Sequence, residues 1–195
     1  MGGNASSMIA DLTLAIMEFD FAKDKRNPPI LVVRYIDDIF VANFPQFLIY
    51  ASKIYGNDLQ LDVTSNGQAC NFLDLHIELK PNHRLPLISV YNKTDAFPFK
   101  VNRYTYPSSL ISSKVHSTVI ITQLIRFARI TTQYQQLVIK CKEFFQTLSQ
   151  HGFEREFLIN QLLRFASRNE TLLLKYFVPN KAAIVKFAID LFGVT

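Results

Sequence analysis

Apolar residues recur at two different periods along this chain of 195 residues, and the change of period divides it near residue 98. Before that point, short apolar runs alternate with polar residues and end in Pro, Gly or Asn, which is typical of strands joined by turns. Beyond residue 109, apolar residues recur every three or four positions, which is typical of amphipathic helices. The pattern therefore predicts an α+β region at 1–98 followed by an all-helical region at 99–195.

The first region is predicted to contain two helices and several mostly antiparallel strands. Ser6 or Ser7 can N-cap a helix that runs to about residue 21, with an apolar stripe on one face made by Ile9, Leu12, Ile16 and Phe19. A second helix is predicted at 44–55, before Gly56. Strands are predicted on either side of Asp37-Asp38 and at 59–64, 72–79 and 86–91.

The second region follows a linker at 92–109, which contains Pro98 and Pro107 and shows no sustained period. Helices are predicted at about 113–130, 133–150, 154–168 and 181–192.

The composition is that of a globular chain, since 49% of the residues are hydrophobic and 17 are Phe. No apolar run approaches the roughly 20 residues that a membrane-spanning helix needs. The sequence shows no secretory signal, and its two cysteines, Cys70 and Cys141, lie far apart without zinc-site spacing. We therefore expect an intracellular protein, cytoplasmic or nuclear and not secreted, that does not enter a membrane.

The net charge of +5 is unevenly distributed. Residues 1–99 contain 8 Lys and Arg against 11 Asp and Glu, a net charge of −3, whereas residues 100–195 contain 13 against 5, a net charge of +8. Acidic residues suit a metal ion and basic residues suit a phosphate backbone. Two pairs of arginines lie at helical spacing and are candidate phosphate contacts: Arg126 with Arg129, and Arg164 with Arg168.

The sequence Tyr35-Ile36-Asp37-Asp38 lies between two runs rich in β-branched and aromatic residues, 31–35 and 39–42. The acidic pair therefore falls where a tight hairpin turn is predicted. Asp-Asp is common in turns for conformational reasons alone. A hairpin that projects two carboxylates can also bind Mg²⁺, which takes one or two protein carboxylates and completes its shell with water and phosphates.

Four segments in this order resemble the motifs of reverse transcriptases. Residues 2–12 resemble motif B, a Gly- and Ser-rich loop that enters a helix; residues 34–39 resemble motif C; 44–64 resemble motif D; and Asn71-Phe72-Leu73-Asp74-Leu75 resembles motif E, the primer grip. The basic helical remainder is similar to a thumb. The chain thus resembles the C-terminal palm and thumb of a eukaryotic retroelement RNA-directed DNA polymerase.

The resemblance implies RNA-templated DNA synthesis by two-metal nucleotidyl transfer with Mg²⁺ or Mn²⁺, on an RNA template and a DNA primer with deoxynucleotide triphosphates. It implies that Asp37 and Asp38 are catalytic metal ligands. Tyr35, Phe72 and Leu73 would contact the primer or nucleotide. The template-side loop would be formed by Gly2, Gly3, Asn4 and Ser6, and the backbone contacts would come from Arg126, Arg129, Arg164 and Arg168.

The family's motif A, which supplies a further metal-binding Asp, and its fingers have no counterpart in this sequence. We therefore expect an incomplete palm that is inactive alone and depends on the missing N-terminal fingers and palm segment. Asp11, Asp62 and Asp74 are the nearby carboxylates, and Lys53 is the only candidate for the general acid of motif D. Two alternatives remain: a catalytically inactive nucleic-acid-binding protein, and a helical protein-interaction module.

Overall fold

The computed structural model describes residues 6–57, 59–99, 101–176 and 181–192, with the side chains of 181–185 excepted. Within these residues the protein is a mixed α+β structure of seven α-helices and two small antiparallel sheets. This confirms the predicted α+β class. None of the helices in the described ranges is both long and apolar enough to cross a membrane.

The elements follow one another along the chain as helices and strands of the following bounds. The helices are α1 (Ser6–Lys23), α2 (Phe47–Tyr55), α3 (Ser113–Ile130), α4 (Tyr134–Gln150), α5 (Arg155–Arg168), α6 (Glu170–Leu173) and α7 (Lys181–Phe192). The strands are β1 (Leu31–Tyr35), β2 (Asp38–Ala42), β3 (Ala69–Phe72), β4 (Leu75–Glu78) and β5 (Leu87–Val90). Strands β1 and β2 form one sheet, and β3, β4 and β5 form the other in that order.

The chain divides into two compact units, Met1–Asn66 and Gly67–Thr195. The division lies upstream of the predicted boundary at residue 98, because the three-stranded sheet belongs to the same unit as the helices α3 to α7. Val90 of β5 is buried in the hydrophobic core that these helices form. The backbone amide of Thr132, which follows α3, donates a hydrogen bond to the Ile88 carbonyl of β5.

The first unit contains α1, the β1–β2 hairpin and α2. Its core is formed by Phe47, Ile54 and Tyr55, against which the inward-facing residues of the hairpin pack: Val32, Ile39 and Val41. Helix α1 contributes Leu14 and Phe21 to this core, whereas its predicted apolar stripe is more than half exposed at each of Ile9, Leu12, Ile16 and Phe19.

The second unit is organised around long helices at the predicted positions. Ser112 N-caps α3 by accepting a hydrogen bond from the Lys114 amide. At the other end of α3, the ammonium group of Lys175 donates to the carbonyls of Arg129 (3.1 Å) and Thr131 (2.7 Å), and the Tyr176 hydroxyl also donates to Thr131. These donors satisfy carbonyls that a helix C-terminus otherwise leaves unpaired, and the positive charge suits the helix dipole.

Two of the predicted strands are wrong. Residues 59–64 form no strand, although Leu61 packs against the core of the first unit. The run 72–79 is broken by a turn at Leu73-Asp74, so that its two parts belong to β3 and β4. The predicted strand at 86–91 is confirmed as β5.

Candidate functional site

The β1–β2 hairpin holds the acidic pair at its turn. Its register pairs Leu31 with Ala42 at one end and Tyr35 with Asp38 at the other, which leaves a two-residue loop of Ile36 and Asp37. Asp37 thus lies within the turn and Asp38 is the first residue of β2; both are exposed. The structure therefore confirms the predicted hairpin and places two carboxylates at its tip.

The turn has an unusual backbone conformation. Ile36 has a φ of 56°, and its neighbour Asp37 is not among the residues with positive φ. A positive φ at the first loop residue is typical of a type II′ turn, where glycine is the usual occupant. For a β-branched residue this conformation is strained, so the surrounding contacts must hold the turn.

Arg34 provides those contacts from the inner face of the hairpin. Its guanidinium donates from Nη1 to Asp11 Oδ1 at 2.6 Å, from Nε to Glu18 Oε1 at 2.6 Å, and from Nη1 to the Ile36 carbonyl at 3.3 Å. The same Glu18 oxygen accepts a bond from the Tyr55 hydroxyl at 2.9 Å. One side chain therefore ties α1, the strained turn and, through Glu18, α2.

The environment of Arg34 keeps it charged although its side chain is only 8% exposed. Burial lowers the pKa of Arg34, but the hydrogen bonds and charges of Asp11 and Glu18 outweigh it, and the net shift is upward. Burial and the bond to Glu18 likewise raise the pKa of Tyr55 well above its usual range. This cluster is not predicted from the sequence; the available signal is the period-two pattern, which places Arg34 on the same strand face as Val32.

The outer face of the hairpin carries the other predicted residues. Tyr35 and Asp38 are direct cross-strand partners and therefore project from the same face, and Tyr35 is exposed. Leu31 and Val33 of that face are exposed as well. The structure thus brings Tyr35, Asp37 and Asp38 together at one exposed tip.

The carboxylates at this tip meet the requirements of a hard cation in part. Asp37 and Asp38 offer carboxylate oxygens, which Mg²⁺ prefers as ligands, and neither forms an ion pair with any residue that the structure describes. Within the described ranges, no group of three or more His, Cys, Asp and Glu side chains could hold a metal ion. Asp11 is engaged by Arg34, so it is not a spare third ligand.

Lys53, the candidate general acid, is also engaged. Its ammonium group donates to Asn27 Oδ1 at 2.5 Å and lies 5.7 Å from the centre of the Phe21 ring. These contacts keep it against α1 and the following loop.

The β3–β4 hairpin of the second unit repeats the turn of the first. Phe72 pairs with Leu75 across a loop of Leu73 and Asp74, and Leu73 has a φ of 55°. Phe72 is half-buried in β3, whereas Leu73 is exposed at the tip. In both hairpins an apolar residue with positive φ precedes an aspartate.

Asp74 is bound by Arg126 of α3, which changes the role of that arginine. Arg126 contacts Asp74 Oδ2 through Nη2 at 3.0 Å and through Nε at 3.1 Å. This ion pair ties α3 to the β3–β4 turn. Arg126 is therefore a structural residue in this state rather than an uncommitted phosphate contact.

The other candidate arginines are more accessible. Arg129, Arg164 and Arg168 are exposed, and the structure gives none of them an ion pair within the described ranges. Arg164 and Arg168 lie one turn apart near the C-terminus of α5, as predicted. Of the template-side loop, Ser6 is the first residue of α1, and Gly2, Gly3 and Asn4 lie outside the described residues.

Comparison of the chain with protein-family models, with curated proteins and with solved structures finds no significant match.

Proposed function

We propose that this chain supplies the metal-binding hairpin and the thumb of a reverse transcriptase-like RNA-directed DNA polymerase. The observation that carries the proposal is the hairpin tip, where Asp37 and Asp38 are exposed beside Tyr35 on a turn anchored by a buried arginine. This combination of exposed carboxylates and a rigid support is what a catalytic metal site requires.

The chemistry assigned to the tip is positioning and charge neutralisation. Asp37 and Asp38 would hold Mg²⁺ or Mn²⁺, and the bound metal would neutralise charge on the phosphates of the incoming nucleotide. Tyr35, opposite Asp38, would pack against the primer terminus or the nucleotide. Arg34 acts as a positioning residue, because its contact with the Ile36 carbonyl fixes the turn that carries Asp37.

The helical unit would bind the phosphate backbone of the primer and template. Its support is the net charge of +8 in residues 100–195 together with the exposed side chains of Arg129, Arg164 and Arg168. Such contacts neutralise phosphates and release counterions, so binding weakens steeply with salt.

A further polypeptide segment is part of the proposal, because the hairpin tip offers only two carboxylates. The apolar stripe of α1 and the outer residues Leu31 and Val33 of β1 are exposed, and β1 and β2 pair only with each other among the described residues. Exposed apolar surface beside unpaired strand edges suits a partner segment that adds a strand. We propose that this segment supplies the third carboxylate.

One observation favours a second candidate function, that of a nucleic-acid-binding protein without catalysis. Within the described ranges no third metal ligand accompanies Asp37 and Asp38, whereas the exposed arginines remain able to bind phosphates. In this form the chain would bind a primer–template duplex and perform no chemistry.

The experiment combines duplex binding with primer extension. A DNA primer annealed to an RNA template is titrated with the chain between about 50 and 200 mM salt, over which phosphate contacts lose much of their affinity. Extension by the chain is then measured with Mg²⁺ and with Mn²⁺, beside Asp37→Ala and a matched control, Asp20→Ala, an exposed carboxylate of α1 outside the hairpin.

We expect salt-sensitive binding without extension. Extension that is lost in Asp37→Ala and kept in Asp20→Ala would show that the chain already contains a third ligand. Binding that does not respond to salt, or no binding at all, would contradict both nucleic-acid functions and favour the helical interaction module.

A further inference from the structure

Helix α1 has apolar residues on two nearly opposite sides, and only one side is covered within the first unit. Its inner side contributes Leu14 and Phe21 to the core of that unit. Its outer side carries the predicted apolar stripe, and each residue of the stripe is between 53% and 64% exposed: Ile9, Leu12, Ile16 and Phe19. A helix with apolar residues on both sides is normally buried on both, so we expect another surface to cover the stripe.

The stripe has the spacing of a coiled-coil seam. Its residues follow one another at intervals of 3, 4 and 3, so that Ile9 and Ile16 take the first position, a, of successive heptads. Leu12 and Phe19 take the fourth position, d. Isoleucine at a with leucine at d favours a parallel pair of helices. The spacing therefore indicates that another helix covers the stripe.

The residues beside the seam suit a second copy of the same helix. The positions that flank a and d, which are e and g, hold six residues: Ser6, Met8, Thr13, Ala15, Asp20 and Ala22. Only Asp20 among them is charged, and in a parallel pair it faces Ala15 of the other helix. Two copies therefore bring no like charges together at the flanks. Lys23 takes the next a position, at the last residue of α1, where its ammonium group can extend into water.

The strand that the proposed function adds to the hairpin would not cover this stripe. Arg34, on the inner face of the hairpin, bonds Asp11 and Glu18 of α1, so α1 packs on that face with its stripe turned away. A strand added to the β1–β2 sheet lies in the plane of the sheet. The stripe therefore remains exposed and needs a separate partner.

We propose that α1 pairs in parallel with α1 of a second copy of this chain, with Ile16 of one copy against Ile16 of the other. The contact is short, two heptads from each copy, and falls below the size of standard interfaces. We therefore expect a dissociation constant on the order of 10–100 µM. The inference goes beyond the proposed function, because it uses neither the acidic turn nor the basic helices.

Sedimentation velocity of the full chain between about 1 and 500 µM, which brackets that range, tests the proposal. Three samples probe the seam: Ile16→Glu, Ile16→Lys and an equimolar mixture of the two. Because Ile16 is more than half exposed, neither substitution removes a core side chain. The matched control is Ile49→Glu on α2, which is 74% exposed on a helix that packs against the inner side of α1. Far-UV circular dichroism checks that each variant is folded.

We expect the wild-type chain to shift from monomer to dimer across this concentration range. Ile16→Glu and Ile16→Lys should each weaken the dimer more than about 100-fold, because each variant places two like charges against each other. The mixture should regain the dimer, since a parallel pair brings the glutamate of one chain beside the lysine of the other. Ile49→Glu should associate as the wild type does.

The proposal is overturned if the wild-type chain is monomeric at every concentration, or if Ile16→Glu dimerises as tightly as Ile49→Glu. It is also overturned if the mixture of Ile16→Glu and Ile16→Lys stays monomeric, because the two stripes then do not face each other in parallel.

Discussion

Replacing the buried Arg34 with methionine should selectively destabilise the first unit. Methionine keeps an unbranched apolar stem and removes the guanidinium that contacts Asp11, Glu18 and the Ile36 carbonyl. Glu18, 28% exposed, would lose a charged hydrogen bond that contributes about 1.5–3 kcal/mol. Asp11, 65% exposed, is solvated without its partner and adds less than about 1 kcal/mol.

The expected loss is therefore about 3 kcal/mol of the free energy of unfolding, a large fraction of the roughly 5–15 kcal/mol typical of a folded domain. Because the chain has two compact units and no Trp, a single unfolding curve is not sufficient. Hydrogen exchange followed by mass spectrometry resolves the hairpin peptides at 31–42. A loss of about 3 kcal/mol should accelerate their exchange on the order of 100-fold, since 1.4 kcal/mol is a factor of ten.

The matched control is Arg26→Met in the same unit. Arg26 also forms an ion pair with an aspartate, Asp24, but it is fully solvated, and we expect no measurable change. If Arg34→Met exchanges at the same rate as Arg26→Met, the buried cluster does not hold the turn. The positioning role given to Arg34 would then be refuted.

Three further changes have defined outcomes. Leu73→Gly should raise the urea midpoint of unfolding. A left-handed backbone costs a non-glycine residue about 1–3 kcal/mol, whereas glycine costs about 1 kcal/mol of conformational entropy on folding. Leu79→Gly, an exposed control without positive φ, should lower the midpoint. Arg164→Gln should reduce by about one the slope of the logarithm of the duplex-binding constant against the logarithm of salt concentration. Arg126→Gln should leave that slope unchanged and lower stability by less than about 1 kcal/mol. Equal slopes for the two variants would contradict these roles. Stability should fall as the pH rises above 10.0, the usual pKa of Tyr, because burial and a hydrogen bond to a glutamate raise the pKa of Tyr55. Above that pH the unfolded chain loses a proton that the folded chain keeps. In circular dichroism at increasing pH, Tyr55→Phe should lessen this loss of stability, and an unchanged loss would contradict the prediction.

The elements defined by local pattern were predictable from the sequence. The helices α3 and α7 have the predicted bounds, and the strands around Asp37-Asp38 lie where the apolar runs and the acidic turn placed them. In these segments the period of apolar residues agrees with the packing that the structure requires.

The failures arise where tertiary contacts or special backbone geometry decide. The segment 59–64 alternates as a strand does, but no described strand pairs with it, and only Leu61 reaches the core. The turn at Leu73 was not predicted, because a leucine with positive φ lacks the residue type that normally indicates such a turn. Asp11 lies 23 residues from its partner Arg34 in the sequence, and Asp74 lies 52 residues from its partner Arg126. No local pattern reaches over these separations.

The most direct test of the proposed metal site is the broadening of backbone amide signals by Mn²⁺ in the presence of the primer–template duplex. We predict broadening centred on residues 35–38, lost in the Asp37→Asn, Asp38→Asn double variant and kept in Asp20→Asn. Broadening that is absent at this turn, or that persists unchanged in the double variant, would contradict the assignment of Asp37 and Asp38 as metal ligands.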